Sequence, residues 1–590
     1  MTSEWSLDVY YKGLDDPKLA EDTALLEENI RALNAVAQEW QEADAPDEAA
    51  MTKEAVLAIE ALEETADRLM GYLGLRQAAD TGNAEVNSRI GVLENTMTKA
   101  SRAEVILQKK IAGLSDPEAI IASDPLLTEY GFYLREIIRS AKHMLSDDAE
   151  EMITLMNLSG GGAWSKMSDY LTASVKVPYD GRVCNLSEVR NLRSHKDRAV
   201  RKAAFEAELA AYPQIEDPMA FALNNIKSQV SRLAEKRGYA SVLDMTLEQS
   251  RMKRETLEAM LAAIVKYLPK FHAYMRAKAA YLGVGERLAW YDLYAPVGDS
   301  GLSFTKEEAK DYLMKSFAPF SQDMADMMGR AFDESWIDFD PRPGKVGGAF
   351  CAGVWHARQS RILTNFDGSF EAVDTLAHEL GHAYHNLHTE DHRILNQGYP
   401  MQVAETASTF NETHIMWKAI GDADGEARLA LLDSLLAGTT EVICDIYSRF
   451  LFEKAVIDNC QSEFMMPERL GEIMKDTQRT AYGDGLDEAT LHPYMWVCKS
   501  HYYSEHLSFY NFPYAFGQLF AMGLYARYLK EGAAFVPEYQ ALLHATPVKT
   551  VEEAAAMAGI DVTTPAFWEE SLQAFADKMD EFIRLTEKQA

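Results

Sequence analysis

Between His378 and His385 the sequence reads HELGHAYH, with three histidines in eight residues and one glutamate, Glu379, beside the first. His378 and His382 are four apart, so on a helix their side chains share one face one turn apart. Two imidazoles placed that way suit a shared tetrahedral zinc ion at about 2.1 Å from each. Glu379 lies where a general base would take a proton from a water on that metal. Gly381 keeps the same turn uncrowded. The pair leaves the last protein ligand open. His385 sits about 10 Å of helical rise beyond His378, and three rings along one straight helix fit a single tetrahedral ion poorly. His388 falls where the metzincin pattern HExxHxxGxxH has its third histidine. That pattern turns the chain at a glycine, and the residue here is His385, which takes left-handed backbone less readily.

A third candidate lies downstream. Pro400 can open a helix at its first turn, and MQVAETASTFNETHIMW continues it. Glu405, Ser408, Thr409 and Glu412 share one face of that helix. Glu405 would complete a set of two histidines and one carboxylate with a fourth position for water. Glu412, two turns on, would orient a ligating histidine. Asp374, one turn before His378, is a further acidic neighbour.

These residues need helices to hold them, and the pattern supplies helices almost throughout. Leu26, Ile30, Leu33, Ala37 and Trp40 recur every three or four positions, which predicts one apolar stripe. ADAPDEAA breaks it. A second helix is expected around 55–77 and a third from about Ala84 to Ile111, with antiparallel hairpins as the economical packing. Ser146-Asp147-Asp148 reads as the start of another. Val373, Leu376, Ala377 and Leu380 put the histidine cluster on a helix as well. The exception is KVGGAFCAGVWHARQSRILTNF, from Lys345 to Phe366, where glycines with β-branched and aromatic residues predict two short strands. SGGGAWSK (Ser159–Lys166) lacks the spacing of a phosphate loop and follows no strand, so its glycines predict a close backbone approach or a hinge.

Composition narrows the function. The chain has 590 residues, 47% of them apolar, and a net charge of −33. So acidic a protein is a poor partner for nucleic acid or an anionic membrane. The N-terminus, MTSEWSLDVYYKGLDDPK, shows no secretory leader. The apolar run from Phe509, FYNFPYAFGQLFAMGLYARYL, contains Asn511, Pro513, Gln518 and Arg527 and reads as buried core. Five scattered cysteines with no CxxC pair suit reduced thiols and a cytoplasmic location.

TLAHELGHAYH followed by VAETASTFNE resembles the oligoendopeptidase F branch of the thimet oligopeptidase family of zinc metallopeptidases. GKVGGAFCAG and TNF ahead of the histidine helix are similar to the family's strand region, and WSLDVYYKGLDDP and LSGGGAWSKMSDYLT to its N-terminal domain. The resemblance implies one Zn²⁺ per chain on His378, His382 and Glu405, with Glu379 as catalytic base. It implies a mainly α, two-lobed body with a small β-sheet beside the HExxH helix and a deep channel for short peptides. Gly347, Gly348, Ala349 and Phe350 would offer backbone to an extended substrate. FYNFPYAFG matches the family's tyrosine-rich stretch, so Tyr510 and Tyr514, with a histidine, would bind the developing oxyanion. His501 is favoured over His506 for that histidine.

The organisation expected is an N-terminal helical domain over 1–200 and a zinc metallopeptidase domain over 201–590. The expected activity is hydrolysis of internal bonds in short peptides, with no nucleic-acid, membrane or obligate protein partner. The alternatives are a metzincin-type protease using His388, and a non-catalytic peptide-binding protein with a structural zinc.

Overall fold

The computed structural model describes residues 3–587. Met1 and Thr2, which begin the N-terminal stretch where no secretory leader is expected, lie outside them, as do Lys588, Gln589 and Ala590. Helices dominate. The first four run Pro17–Glu42 (α1), Glu48–Ala79 (α2), Ala84–Met97 (α3) and Ser101–Ala112 (α4). Their starts follow capping chemistry: the side chains of Asp16, Asp47 and Asn83 accept from backbone N–H groups of the first turn, and Pro17 occupies the first helical position. The stripe Leu26, Ile30, Leu33, Ala37 and Trp40 is buried along α1.

The single helix expected from Ala84 to Ile111 is two. The chain breaks at Thr98–Ala100, where tight turns close through Lys99 N–H to the Thr96 carbonyl (3.1 Å) and Ala100 N–H to the Met97 carbonyl (2.9 Å). Helix Asp147–Asn157 (α5) begins after Ser146 as expected, although the serine side chain makes no cap hydrogen bond. Helix α6 spans Gly161–Ser174.

Buried apolar residues form two cores. One runs from Trp5 to Ile137 and also takes Val354 and Leu363. The other begins at Val175 and runs to Phe582. A two-residue strand, Ile337–Asp338 (β1), pairs in parallel with Gln359–Leu363 (β3), which pairs antiparallel with Phe350–Val354 (β2). The order β1-β3-β2 leaves β2 at an edge. Side-chain alternation sends the strands to both cores: Val354 and Leu363 join the first, Ile362 the second. The sheet is thus a wall shared by the two.

Helix α7, Phe370–Thr389, follows directly, its start capped by Ser369 Oγ accepting from Ala372 N–H at 3.1 Å. Val373, Leu376, Ala377, Leu380, Ala383 and Tyr384 are buried along it. Thr406–Asp422 (α8) packs across it, and Phe512–Glu531 (α9) packs on α8. The apolar run from Phe509 therefore reads correctly as core, and no helix among the described residues is long and apolar enough to cross a membrane.

Candidate metal and catalytic centre

Helix α7 presents His378 and His382 on one face with their Nε2 atoms 3.2 Å apart. The Oε2 of Glu405 lies 3.4 Å from the first and 3.3 Å from the second. Three donor atoms therefore form a nearly equilateral triangle. A tetrahedral site with bonds of about 2.1 Å has edges of about 3.4 Å, so the residues fit a zinc ion. His378 Nδ1 is 2.9 Å from Glu412 Oε1, so it donates there and leaves Nε2 bare. Ser408 Oγ donates to Glu405 Oε2 at 2.6 Å. Glu379 is buried beside the pair, its donors and those of both histidines lying within 4.8 Å of one another, and its Oε2 has no partner.

The local field suits a cation. Burial works against charge on His378, yet Glu412 and the other carboxylates lift it to about 9. Burial likewise pushes the Glu405 carboxyl up, while His382, Ser408 and His378 hold it down at about 2. Burial raises Glu379 above the usual carboxylate range, which brings a carboxylate base nearer neutral pH. Asp374, half-buried, feels the charge of His378, while burial and Glu412 push its carboxyl well up.

Two structural facts set the triangle. Gly381 is where α7 and α8 meet: a Cβ there would lie 2.5 Å from the Ala407 carbonyl oxygen and 2.6 Å from Ser408 Cα. Asn411 Nδ2 also donates to the Ala377 carbonyl at 3.1 Å. The continuous helix expected from Pro400 breaks at Glu405, which has φ −88° and ψ 9° between a short turn, Met401–Ala404, and α8. That break turns the carboxylate toward the histidines at the start of α8.

The other histidines are accounted for. His385 is fully buried, its Nε2 2.8 Å from Thr546 Oγ1 and its ring stacked 4.3 Å from Tyr399. His388 lies edge-on to Tyr384 at 4.5 Å and is not part of the donor cluster.

His501, Tyr510 and Tyr514 come together, with ring centroids 5.1, 6.0 and 5.9 Å apart. His506 instead has a side chain 77% exposed and contacts Glu505 at 3.3 Å. Tyr514 lies on the first turn of α9 and feels the charge of Glu405, against which Gly517 packs so closely that a Cβ would be 3.2 Å from the Glu405 Cβ. Burial, then Arg449 and Lys499, hold the His501 imidazole below its usual range, which favours the neutral ring.

Of the four residues expected on the substrate strand, only Phe350 lies in it. Gly347, Gly348 and Ala349 form a bend before β2, pinned by Asn365 Nδ2 donating to the carbonyls of Val346 (3.1 Å) and Gly348 (2.9 Å). Gly348 has φ +78°, and a Cβ added at either glycine would meet nothing within 4 Å.

Sequence reasoning missed Glu505, Asn157 and Gln229, which seat the His501 segment. A Cβ on Gly161 would meet the Glu505 Cβ at 2.8 Å, and one on Gly160 the Gln229 Oε1 at 2.8 Å. Asn157 Nδ2 donates to Glu505 at 3.3 Å. The signal was SGGG itself, whose glycines make a close approach.

The arrangement is that of a hydrolase, and comparison with known proteins agrees. A model of peptidase family M3 matches residues 191–574. The chain belongs to peptidase family M3. Residues 116–176 of this peptidase match a model described as oligopeptidase F, and its relatives are named as oligopeptidases or oligoendopeptidases. Oligopeptidase PepF of Bacillus subtilis is 28% identical over 537 residues, covering 89% of this chain and 79% of that one. Group B oligopeptidase PepB of Streptococcus agalactiae is 26% identical, covering 80% of each. The crystal structure of oligoendopeptidase-F from Enterococcus faecium superposes with a TM-score of 0.71 at 20% identity, over 97% of this chain and 99% of that one.

Proposed function

We propose that this M3 peptidase is a zinc-dependent endopeptidase of the cytoplasm that cleaves internal bonds of short oligopeptides, with one zinc per chain on His378, His382 and Glu405. The observation that carries this reading is the triangle of donors with edges of 3.2, 3.3 and 3.4 Å. Bound there, zinc supplies Lewis acidity, making water acidic and polarising the scissile carbonyl. Glu379 takes the proton from the attacking water and returns it to the amine as the C–N bond breaks. His501, Tyr510 and Tyr514 donate hydrogen bonds to the oxyanion, each such donor being worth roughly 10²–10³ in rate. The free edge of β2 pairs with an extended substrate. Five unpaired thiols support a reducing compartment.

His388 lies away from the donors, which weighs against the metzincin alternative, and Glu379 poised beside them weighs against a purely structural zinc. The decisive experiment pairs metal analysis with mass-spectrometric cleavage of a peptide-length series, with a folded protein as control. One equivalent of zinc, chelator-sensitive internal cleavage of short peptides and an intact folded control are expected. Metal kept by Glu405→Ala but lost by His388→Ala would overturn the ligand assignment.

A further inference from the structure

Behind the His501 segment lies a cavity of about 50 Å³, lined by Arg190, Arg193, Arg201, Glu208, Asp445 and Lys499 among others. That volume suits a small ion with a water, not an amino-acid side chain. Each of its arginines and carboxylates has an ion-pair partner. Arg190 faces Glu208 at 3.1 Å, Arg193 faces Glu441 at 3.4 Å, Arg201 faces Asp292 at 2.8 Å, and Asp445 is taken by Arg449. Glu208 also accepts from Tyr212 at 2.6 Å.

Lys499 is the cation left over. Its ammonium lines the cavity yet has no hydrogen-bond acceptor among the described residues. Arg449, itself buried, leaves its Nε without an acceptor, and the terminal nitrogens of Arg190 make no hydrogen bond among the described residues. Of these donors the Arg449 Nε is buried, and a buried cationic donor without an acceptor is costly, while Lys499 and Arg190 are half-buried. In a chain of net charge −33, this is a local excess of positive charge. Burial and the neighbouring arginines accordingly push Lys499 below the usual lysine range.

We propose that this cavity binds a small monovalent inorganic anion of chloride size, held by Lys499 and Arg190, and that its occupancy sets the placement of the His501 segment. Lys499 is two residues from His501. The segment is wired to the same charges, since Tyr502 OH donates to the Arg449 carbonyl at 3.4 Å, and Lys499 and Arg449 both act on the His501 imidazole. The kinetic half of this inference rests on the peptidase reading, and the binding half does not.

The test separates them. Crystals of the full chain grown in bromide should show an anomalous peak between Lys499 and Arg190, absent in Lys499→Met and restored in Lys499→Arg. Circular dichroism checks that each variant folds. No peak in the wild type, or a peak that survives Lys499→Met, overturns the site. Exchanging chloride for bulky gluconate at constant ionic strength should change KM or kcat for a quenched peptide several-fold in the wild type and leave Lys499→Met unresponsive. Identical wild-type kinetics in both salts, with bromide bound, overturn the coupling to His501.

Discussion

The Glu379 carboxylate is held at a cost in stability. Its Oε2 is buried with no partner, and burial raises its pKa. Glu379→Gln should therefore keep its zinc, lose turnover by roughly 10²–10⁴, and melt no lower than the wild type. Metal analysis, peptide assay and calorimetry check the three parts. Glu412 acts through His378 by fixing which nitrogen is bare. Glu412→Gln should weaken zinc binding by about 10–100-fold, read by competition with a zinc indicator. At this scale the sequence was informative where residues sit on one helix: the spacing of His378, Glu379 and His382 needs only helical periodicity. Periodicity alone left Glu405 one candidate among three. Its carboxylate reaches the histidines through a backbone break at Glu405 and a close helix crossing, neither of which a spacing rule contains. Local context alone favours His501 over His506, and burial puts the first beside the tyrosines and the second in solvent.

Helices α7 and α8 touch at a glycine, and the triangle of donor atoms depends on that distance. Gly381→Ala places a methyl group 2.5 Å from a backbone oxygen, so the helices must part. The expected cost is about 1–3 kcal/mol, together with loss of zinc affinity as Glu405 recedes from the histidines. Gly421→Ala, on α8 with nothing within 4 Å of its Cβ, is the control and should be neutral or stabilising by up to about 1 kcal/mol. Equal thermal shifts and equal zinc affinities in the two variants would count against the close-contact argument. Helix existence was legible from apolar stripes, but the interruption at Thr98–Ala100 was not, because the stripe resumes beyond it with Ala103, Leu107 and Ile111 buried.

Across the whole molecule, the loop between α7 and α8 ties the centre to the first core. Arg393 Nε donates to Glu60 Oε1 at 2.6 Å, Tyr130 OH donates to the same carboxylate, and Asn396 Nδ2 donates to the Glu129 carbonyl at 2.9 Å. Glu60 is buried on α2. Zinc binding to the native state should stabilise by about 4 kcal/mol when free zinc is 1,000 times the Kd. Chelation should therefore lower the melting temperature, and added zinc should restore it. An unchanged melting temperature on proven metal removal would show that the helices hold the triangle unaided.

The shared wall of the two cores has one more consequence. Both faces of β2 are given over to packing, with Val354 in one core and Cys351 against the other, so its outer rim has mainly peptide groups to offer a partner. For the peptidase proposed here, that rim feels an incoming chain as a repeating amide ladder and is nearly blind to the letters it spells. An edge of that kind would contribute affinity through the backbone and little selection among side chains.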